Sequence, residues 1–301
     1  MLKLILGRSG TGKSTTVYRR ICQSGPCRSQ ILIVPEQNSH EAERKLCETG
    51  GNRISLYAEV LSFTRLCSRI FLQAGGLGEQ ELDQGGRLLL MYHAVSDNMW
   101  GINELFVSPS DMEEQLAYLV DNGYDPIWFE DLAHVEDYDK PVILTFDDGY
   151  DDNYTELYPL LQKYQVKATI FVIGNAPGMN HKMTAEQIKE ISDSGLVSIQ
   201  SHAYTHDNLD AMGEDTLRYE FSETNKALTR ITGKQPHVLC YPSGKYSDLT
   251  LQVAEEYYNF GLKRVGGLYN TSDDPFLVSR YYVSRYTDIY SFASFLTEAG
   301  T

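Results

Sequence analysis

The chain lacks a long apolar run of the kind a membrane-spanning helix needs, and it lacks the cysteine spacing that would hold a structural metal. No stretch approaches the roughly 20 consecutive apolar residues of a membrane span, and Gly7 and Arg8 interrupt the opening MLKLILG before it reaches the length of a signal-peptide core. As written, the sequence reads as cytoplasmic and without a membrane segment. Cysteine is sparse: Cys22, Cys27, Cys47 and Cys67 lie before residue 90, Cys240 stands alone beyond it, and no C-x-x-C pair occurs. An odd count without ligand spacing reads as reduced thiols. Basic residues are scarce in the longer part of the chain. Residues 1–90 carry 12 Lys/Arg against 8 Asp/Glu, whereas residues 91–301 carry 14 against 33, which is net +4 and then net −19. That shift suggests two segments of different origin. The acidic second segment argues against nucleic acid as its partner, because phosphate contacts need Lys and Arg. With 42% hydrophobic and 22% charged residues, the composition is that of an ordinary globular chain.

Near the N-terminus, LKLILG can form a strand, Thr15 to Ile21 can begin a helix, and GRSGTGKS between them fits the phosphate-loop pattern G-x-x-x-x-G-K-[ST]. Gly7, Gly10 and Gly12 would let backbone N–H groups surround phosphate oxygens. Lys13 would reach the outer phosphates, and Ser14, followed by Thr15, would ligate Mg²⁺. Such a loop draws an aspartate from a distant strand, and VILTFDDGYDD at 142–152 is one candidate. A second strand, QILIVPEQ, follows, and then ISLYAEVLSFTRLCSRIFLQAGG runs with a helical period.

From LLLMYHAV onward, strand-like and helix-like stretches alternate. Ser108-Pro109 opens a helix that Gly123 closes, VILTF is a strand, NYTELYPLLQKY a helix and KATIFVIG a strand. Thr184 and Gln187 form a capping box for a helix ending near Gly195, and VSIQS and HVLCY are strands with helical stretches after them, from about Glu214 and Ser247. Alternation of this kind predicts a parallel sheet, closed or partly closed into a β/α barrel. His93, Asp147, Asp148, His202 and Tyr241-Pro242-Ser243-Gly244 all fall at the C-terminal ends of predicted strands, where a barrel gathers its chemistry at one mouth. In SHAYTHDNL, His202 and His206 are four apart, so two imidazoles can face one ion. With one of the two aspartates they make a three-ligand site for Zn²⁺ or a similar ion. Adjacent aspartates on extended chain point apart, so one can ligate while the other acts as base. His40, His134 and His181 have no ligand-like neighbours and read as solvated loop or helix residues. Tyr150 and Tyr241, beside these residues, are the two candidate stacking platforms among the tyrosines.

Two resemblances follow from these motifs. LGRSGTGKS, ILIVPEQ, VLSFTRL and AGGLGEQELDQGGRLLLM, over roughly residues 1–91, resemble the beginning of the B subunit of the bacterial ATP-dependent helicase-nuclease that processes DNA breaks. That family is much longer. A lone strand-helix-strand start leaves ATP with Mg²⁺ open as a ligand, but nucleotide hydrolysis is not expected of it. TFDDG, HAYTH and CYPSGKYSD, over roughly 88–297, resemble the polysaccharide deacetylases of the nodulation-protein type, carbohydrate esterase family four. This resemblance implies Asp147 as general base, Asp148, His202 and His206 as metal ligands, and the backbone of Tyr241, Pro242, Ser243 and Gly244 as an oxyanion holder. It implies a divalent metal, Zn²⁺ first with Co²⁺ or Ni²⁺ as alternatives, and a glycan containing N-acetylglucosamine as substrate. Its members are usually exported or anchored.

The departures are informative. Ala203 stands where the family has Ser or Thr, and Cys240 where many relatives have an arginine that orients the base. The leucine-x-histidine motif near the C-terminus is missing. LLMYHAV ahead of TFDDG is similar to the permuted arrangement of the poly-N-acetylglucosamine deacetylases. By that resemblance His93 is the acid and Arg280, in LVSRYYV, takes over the orientation of Asp147; a structural histidine and a surface salt bridge are the plainer alternatives. The expected architecture is α/β: a distorted (β/α) barrel deacetylase domain at 88–301, preceded by a truncated phosphate-loop-type strand-helix-strand segment at 1–87. A nucleotide-binding repair fragment with no deacetylase activity is the rival reading, but it leaves His93, HAYTH and YPSG without a role. A hybrid reading frame joined within GRLLLMYHAV would account for both resemblances.

Overall fold

A computed structural model describes residues 13–24, 30–34, 39–51, 54, 58–62, 88–264, 267–269 and 273–298. The chain forms two compact units, Met1–Asp83 and Gln84–Thr301. In the first, helix α1 (Lys13–Ser24), strand β1 (Gln30–Val34), helix α2 (Ser39–Gly50) and strand β2 (Ala58–Ser62) follow in order. β1 and β2 pair in parallel from Gln30↔Ala58 to Val34↔Ser62. Tyr18, Ile21, Leu46, Ile54 and Val60 form a small core, while Ile31 and Ile33 on the alternate positions of β1 remain about half exposed. The helical period expected to start near Ile54 gives way to strand β2. Ala58 and Val60 alternate into the core and β1 offers a full row of hydrogen-bond partners, which outweighs a local 3.6-residue pattern. The predicted strand LKLILG lies outside the described residues.

The second unit is built on a parallel sheet. Its central strands are β3 (Leu88–Tyr92), β7 (Pro141–Phe146), β8 (Ala168–Val172) and β9 (Val197–Ser201), followed by the three-residue strands β10 (Val238–Cys240) and β11 (Phe260–Leu262). The order across the sheet is β12-β3-β7-β8-β9-β10-β11, where β12 is Tyr281–Tyr282, and the short β6 (Asp125–Pro126) adds to β7. A further two-residue pair, β4 (Ala94–Val95) with β5 (Phe106–Val107), stands apart. One segment meets both edges of the sheet: Val278 bridges Leu262 of β11, and Tyr281–Tyr282 pair with Leu90–Met91 of β3. The sheet is therefore curled into a distorted barrel, thinnest where β9 and β10 touch through the single pair Ser201↔Leu239.

Strands covered on both faces need apolar residues at every position, and LLLMY, VILTF and ATIFV supply them. Leu90, Leu144 and Ile170 point outward under the helices and are fully buried. Each contributes ~1.5–3 kcal/mol relative to exposure. Leu89, Ile143, Phe171, Val238 and Val278 fill the inside. Helix α3 (Pro109–Asp121) starts where expected, with Ser108 Oγ accepting from the Asp111 N–H and proline in its first turn. The Thr184–Gln187 capping box starts α5 (Ala185–Asp193), the helix after α4 (Tyr158–Tyr164). α6 (Glu214–Thr232) ends at Gly233, whose φ of +75° suits a residue without a side chain. β7 is hydrogen-bonded on both sides within this sheet, so the strand leading to Asp147 and Asp148 does not belong to the small β1–β2 sheet. Among the described residues, no helix is long and apolar enough to cross a membrane.

Candidate active site

The inner face of the barrel changes from apolar to polar toward the C-terminal ends of its strands, and this is where the predicted residues meet. The Asp147 N–H still donates to Tyr92 O, extending the ladder by one residue. The backbone then turns left-handed at two successive positions, Asp148 (φ +76°) and Gly149 (φ +64°). Aspartate tolerates that region better than most residues, and a side chain at 149 would press on Val172. The turn is clamped from the 178–183 loop. Lys182 Nζ donates to Asp148 O at 3.0 Å, the Met183 N–H to Gly149 O, and the Asp151 N–H to His181 O.

This turn separates the two aspartates. Both oxygens of Asp147 go to the Arg280 guanidinium, at 2.7 and 2.8 Å, a bidentate pair sealed inside the barrel. Arg280 also donates to Lys263 O and Thr145 Oγ1 and lies over the Phe171 ring. Burial alone pushes the Asp147 carboxyl up, but the guanidinium outweighs it and holds it at about 2. Asp148 faces elsewhere. Its Oδ1 is buried without a hydrogen bond and lies 3.4 Å from His202 Nε2 and 3.2 Å from His206 Nε2. His202 Nδ1 sits 2.8 Å from Cys240 O. Donation to that carbonyl fixes the tautomer that leaves Nε2 free to face Asp148. Burial raises the Asp148 carboxyl and the two imidazoles lower it further, so it stays ionised.

Among the described residues, two groups place ligand atoms within 4.8 Å of one another: Asp148 with His202 and His206, and Asp147 with His202 and Cys240. The first fits a divalent cation. Its carboxylate oxygen and two ring nitrogens converge, and a buried carboxylate oxygen that makes no hydrogen bond is costly unless a cation completes it. The second does not fit, because Asp147 is occupied by Arg280 and burial pushes the Cys240 thiol pKa up.

His93 follows β3 and reaches the same mouth. Its Nδ1 is buried without a partner, and its ring meets Tyr282 edge-on. Burial lowers its pKa, with the Asp147 and Asp148 carboxylates opposing the shift. Two residues that sequence reasoning missed hold the backbone at and just after it: Asn153 Nδ2 donates to His93 O, and Asp152 Oδ1 accepts from the Val95 N–H. Burial pushes Asp152 up to about 6. Glu220 was missed as well. From α6 it accepts the N–H groups of Tyr204 and Thr205 and the Thr205 hydroxyl, pinning the loop that carries both histidines, in which Ala203 and His206 have left-handed φ. Its place on the buried stripe Leu217, Phe221, Thr224, Leu228 was the available signal.

The YPSG turn lies on the same rim, with Ser243 and Gly244 left-handed. The Tyr241 N–H donates to Leu262 O and the Gly244 N–H to Tyr241 O. Tyr241 is not a surface platform: its ring is buried and its hydroxyl donates to Phe276 O, in space left open by Gly261. In the first unit, Gly7, Gly10 and Gly12 lie outside the described residues. Lys13 is the first residue of α1 and its side chain is likewise outside, whereas Ser14 and Thr15 are exposed in the first turn.

Comparison with known proteins finds two families, one matching each end of the chain. The polysaccharide deacetylase profile matches residues 134–259, and the profile described as ADDB, N-terminal matches residues 4–105. The chain is 34% identical over 202 residues to YxkH, a polysaccharide deacetylase homologue of Bacillus subtilis, covering 65% of this chain and 71% of that one. It is 25% identical over 244 residues to the poly-beta-1,6-N-acetyl-D-glucosamine N-deacetylase of Escherichia coli, covering 65% of this chain but 36% of the enzyme. Among solved structures, a polysaccharide deacetylase from Bacillus cereus superimposes with a TM-score of 0.68 at 31% identity, over 71% of this chain and 69% of that one. The chain is also similar to the B subunit of the ATP-dependent helicase/deoxyribonuclease of Clostridium perfringens, 39% identical over 99 residues, which are 32% of this chain and 8% of that protein.

Proposed function

The chain belongs to the polysaccharide deacetylase family, hydrolases of carbohydrate N-acetyl groups, and from that premise we propose that it removes acetyl groups from a glycan of N-acetylglucosamine units, using a divalent cation held by Asp148, His202 and His206. The observation that carries this reading is the split between neighbouring aspartates. Asp147 is locked onto Arg280, and Asp148 faces two imidazoles with an unpaired oxygen. Zn²⁺ suits a donor set of one carboxylate and two imidazoles, with Co²⁺ and Ni²⁺ as alternatives. A cation there supplies Lewis acidity, polarising the amide carbonyl and making water easier to deprotonate near neutral pH.

The chain's own groups do the rest. Asp147 accepts the proton of the attacking water. Its low pKa makes it a weak base, and its value lies in a carboxylate held in one orientation by two hydrogen bonds. The carbonyl carbon becomes tetrahedral, and the rim at Tyr241–Gly244 faces the developing oxyanion. His93 delivers a proton to the departing amine, leaving acetate and a free amino sugar. The similarity to the Escherichia coli enzyme supports a poly-N-acetylglucosamine substrate.

Acetate release from N-acetylglucosamine oligomers, measured with and without a chelator on the wild type and on Asp148→Ala, tests the reading. Chelation and the substitution should each abolish release, and added Zn²⁺ should restore only the wild type. Strong activity that survives both treatments would sink the metal site.

A further inference from the structure

We propose that Trp100, stacked on His181, is a platform for a pyranose ring of the glycan, one sugar position away from the unit whose acetyl group is removed. The proposal rests on the deacetylase reading for its substrate class and on separate geometry for its place. Trp100 lies in the segment between β4 and β5 and keeps 37% of its surface exposed. Its indole is nevertheless fixed. It lies parallel to the His181 imidazole at 4.0 Å between centroids and 9° between planes, and it makes T-shaped contacts with Phe106 at 5.1 Å and Tyr150 at 4.9 Å. An exposed indole held flat by three rings is a prepared surface. Aromatic faces of this kind match the apolar C–H face of a sugar, and little side-chain entropy remains to be lost on binding.

The platform continues into the candidate active site. Tyr150 makes a T-shaped contact with Trp100 and carries the Lys182 ammonium 3.7 Å from its centroid, and Lys182 in turn donates to Asp148 O. His181, at a left-handed φ of +58°, accepts the Asp151 N–H through its carbonyl, so the support of the indole is tied to the loop that carries Asp148. His181 lies in a turn and is only partly buried, as the sequence suggested, but its ring forms half of the stack. Charge narrows the class of sugar. Residues 91–301 are net −19, which disfavours uronic-acid glycans and suits neutral or partly deacetylated, cationic chains. Trp128 is the natural control. It is the chain's other tryptophan, its indole N–H donates to Ala168 O, and Lys167 lies over its ring.

Two tryptophans make fluorescence a direct test. Titration of the full chain with an N-acetylglucosamine tetramer should give a saturable change in indole emission, kept in Trp128→Phe and lost in Trp100→Phe, which retains an aromatic ring in the cluster. Trp100→Ala and His181→Ala should each raise KM for acetate release from the tetramer by roughly threefold to tenfold, the scale of one stacked contact. A response that persists in Trp100→Phe, or a Trp100→Ala KM within twofold of wild type, overturns the proposal. If the wild type releases no acetate, the deacetylase reading has failed and fluorescence alone decides the platform. Loss of the signal only in Trp100→Phe upholds it, and no signal in the wild type overturns it.

Discussion

Replacing Arg280 by methionine should destabilise the second unit in a way that depends on pH. The substitution removes two charge-assisted hydrogen bonds of 2.7 and 2.8 Å and leaves Asp147, 5% exposed, without a countercharge. In the wild type, burial raises the carboxyl pKa and Arg280 more than reverses this, taking it from 3.8 to about 2. A depression of that size corresponds to about 2 kcal/mol of stability. This stabilisation is complete above the ordinary carboxyl pKa and is lost as pH falls through about 2. Without the guanidinium, burial dominates and the folded-state pKa lies above its unfolded value. The cost is then smallest below the unfolded pKa and grows as pH rises through the raised value. Breaking a buried pair from one side costs ~3–5 kcal/mol at neutral pH, and each kcal/mol lowers the melting temperature of a unit this size by about 2–4 °C. Thermal unfolding of chelated protein should show Arg280→Met melting roughly 6–20 °C below wild type at pH 7, with the gap narrowing near pH 4. The Asp147→Asn/Arg280→Met pair should recover part of the loss. A gap below ~1 kcal/mol, or one that widens on acidification, would refute the buried-pair account.

Three further substitutions or deletions probe other parts of the site. His93→Gln should lower kcat for an N-acetyl amide by ~10²–10⁴ but cost an aryl acetate less than about tenfold, because a phenolate leaves without a proton; equal losses would remove His93 from proton delivery. Glu220→Ala takes three hydrogen bonds from the Tyr204–Thr205 backbone and side chain and should weaken Zn²⁺ binding about 10–100-fold by calorimetry, as loss of a group that orients ligands does. An affinity within twofold of wild type would show that the histidine loop holds itself. A fragment starting at Leu88 should fold and release acetate like the full chain. A folded fragment without activity would give residues 1–87 a role in hydrolysis.

How much could be read from the sequence depended on how local the cause was. Asp147, Asp148, His202 and His206 sit one to five residues past runs of β-forming residues, so alternation alone brought them to one rim. Contacts spanning long stretches of chain were invisible. Asp152 reaches the Val95 backbone 57 residues away, and Glu220 reaches a loop 15 residues earlier in a geometry that only the fold defines. Strand β2 escapes a local reading because its short alternation is embedded in a longer apolar run, and only the partner β1 decides between the two periods. His181 gave no signal, since its partner Trp100 lies on a different loop.

Arg280 shows why a departure in one motif and a residue far downstream belong together. The segment 278–282 pairs with β11 through Val278 and with β3 through Tyr281–Tyr282, so Arg280 enters the barrel between its two edges. Cys240, at the position many relatives give to arginine, lies 3.4 Å from Asp147 Oδ2 and 3.1 Å from an Arg280 nitrogen. A guanidinium at 240 would contend with the one from 280 for the same two carboxylate oxygens in a sealed volume. Two buried cations with one anion between them carry a desolvation cost that the pair does not return. The small thiol and the late arginine are therefore one solution. Orientation of the Asp147 carboxylate then depends on strand β12, so pairing of 278–282 with both sheet edges completes the barrel and aligns Asp147 in the same step.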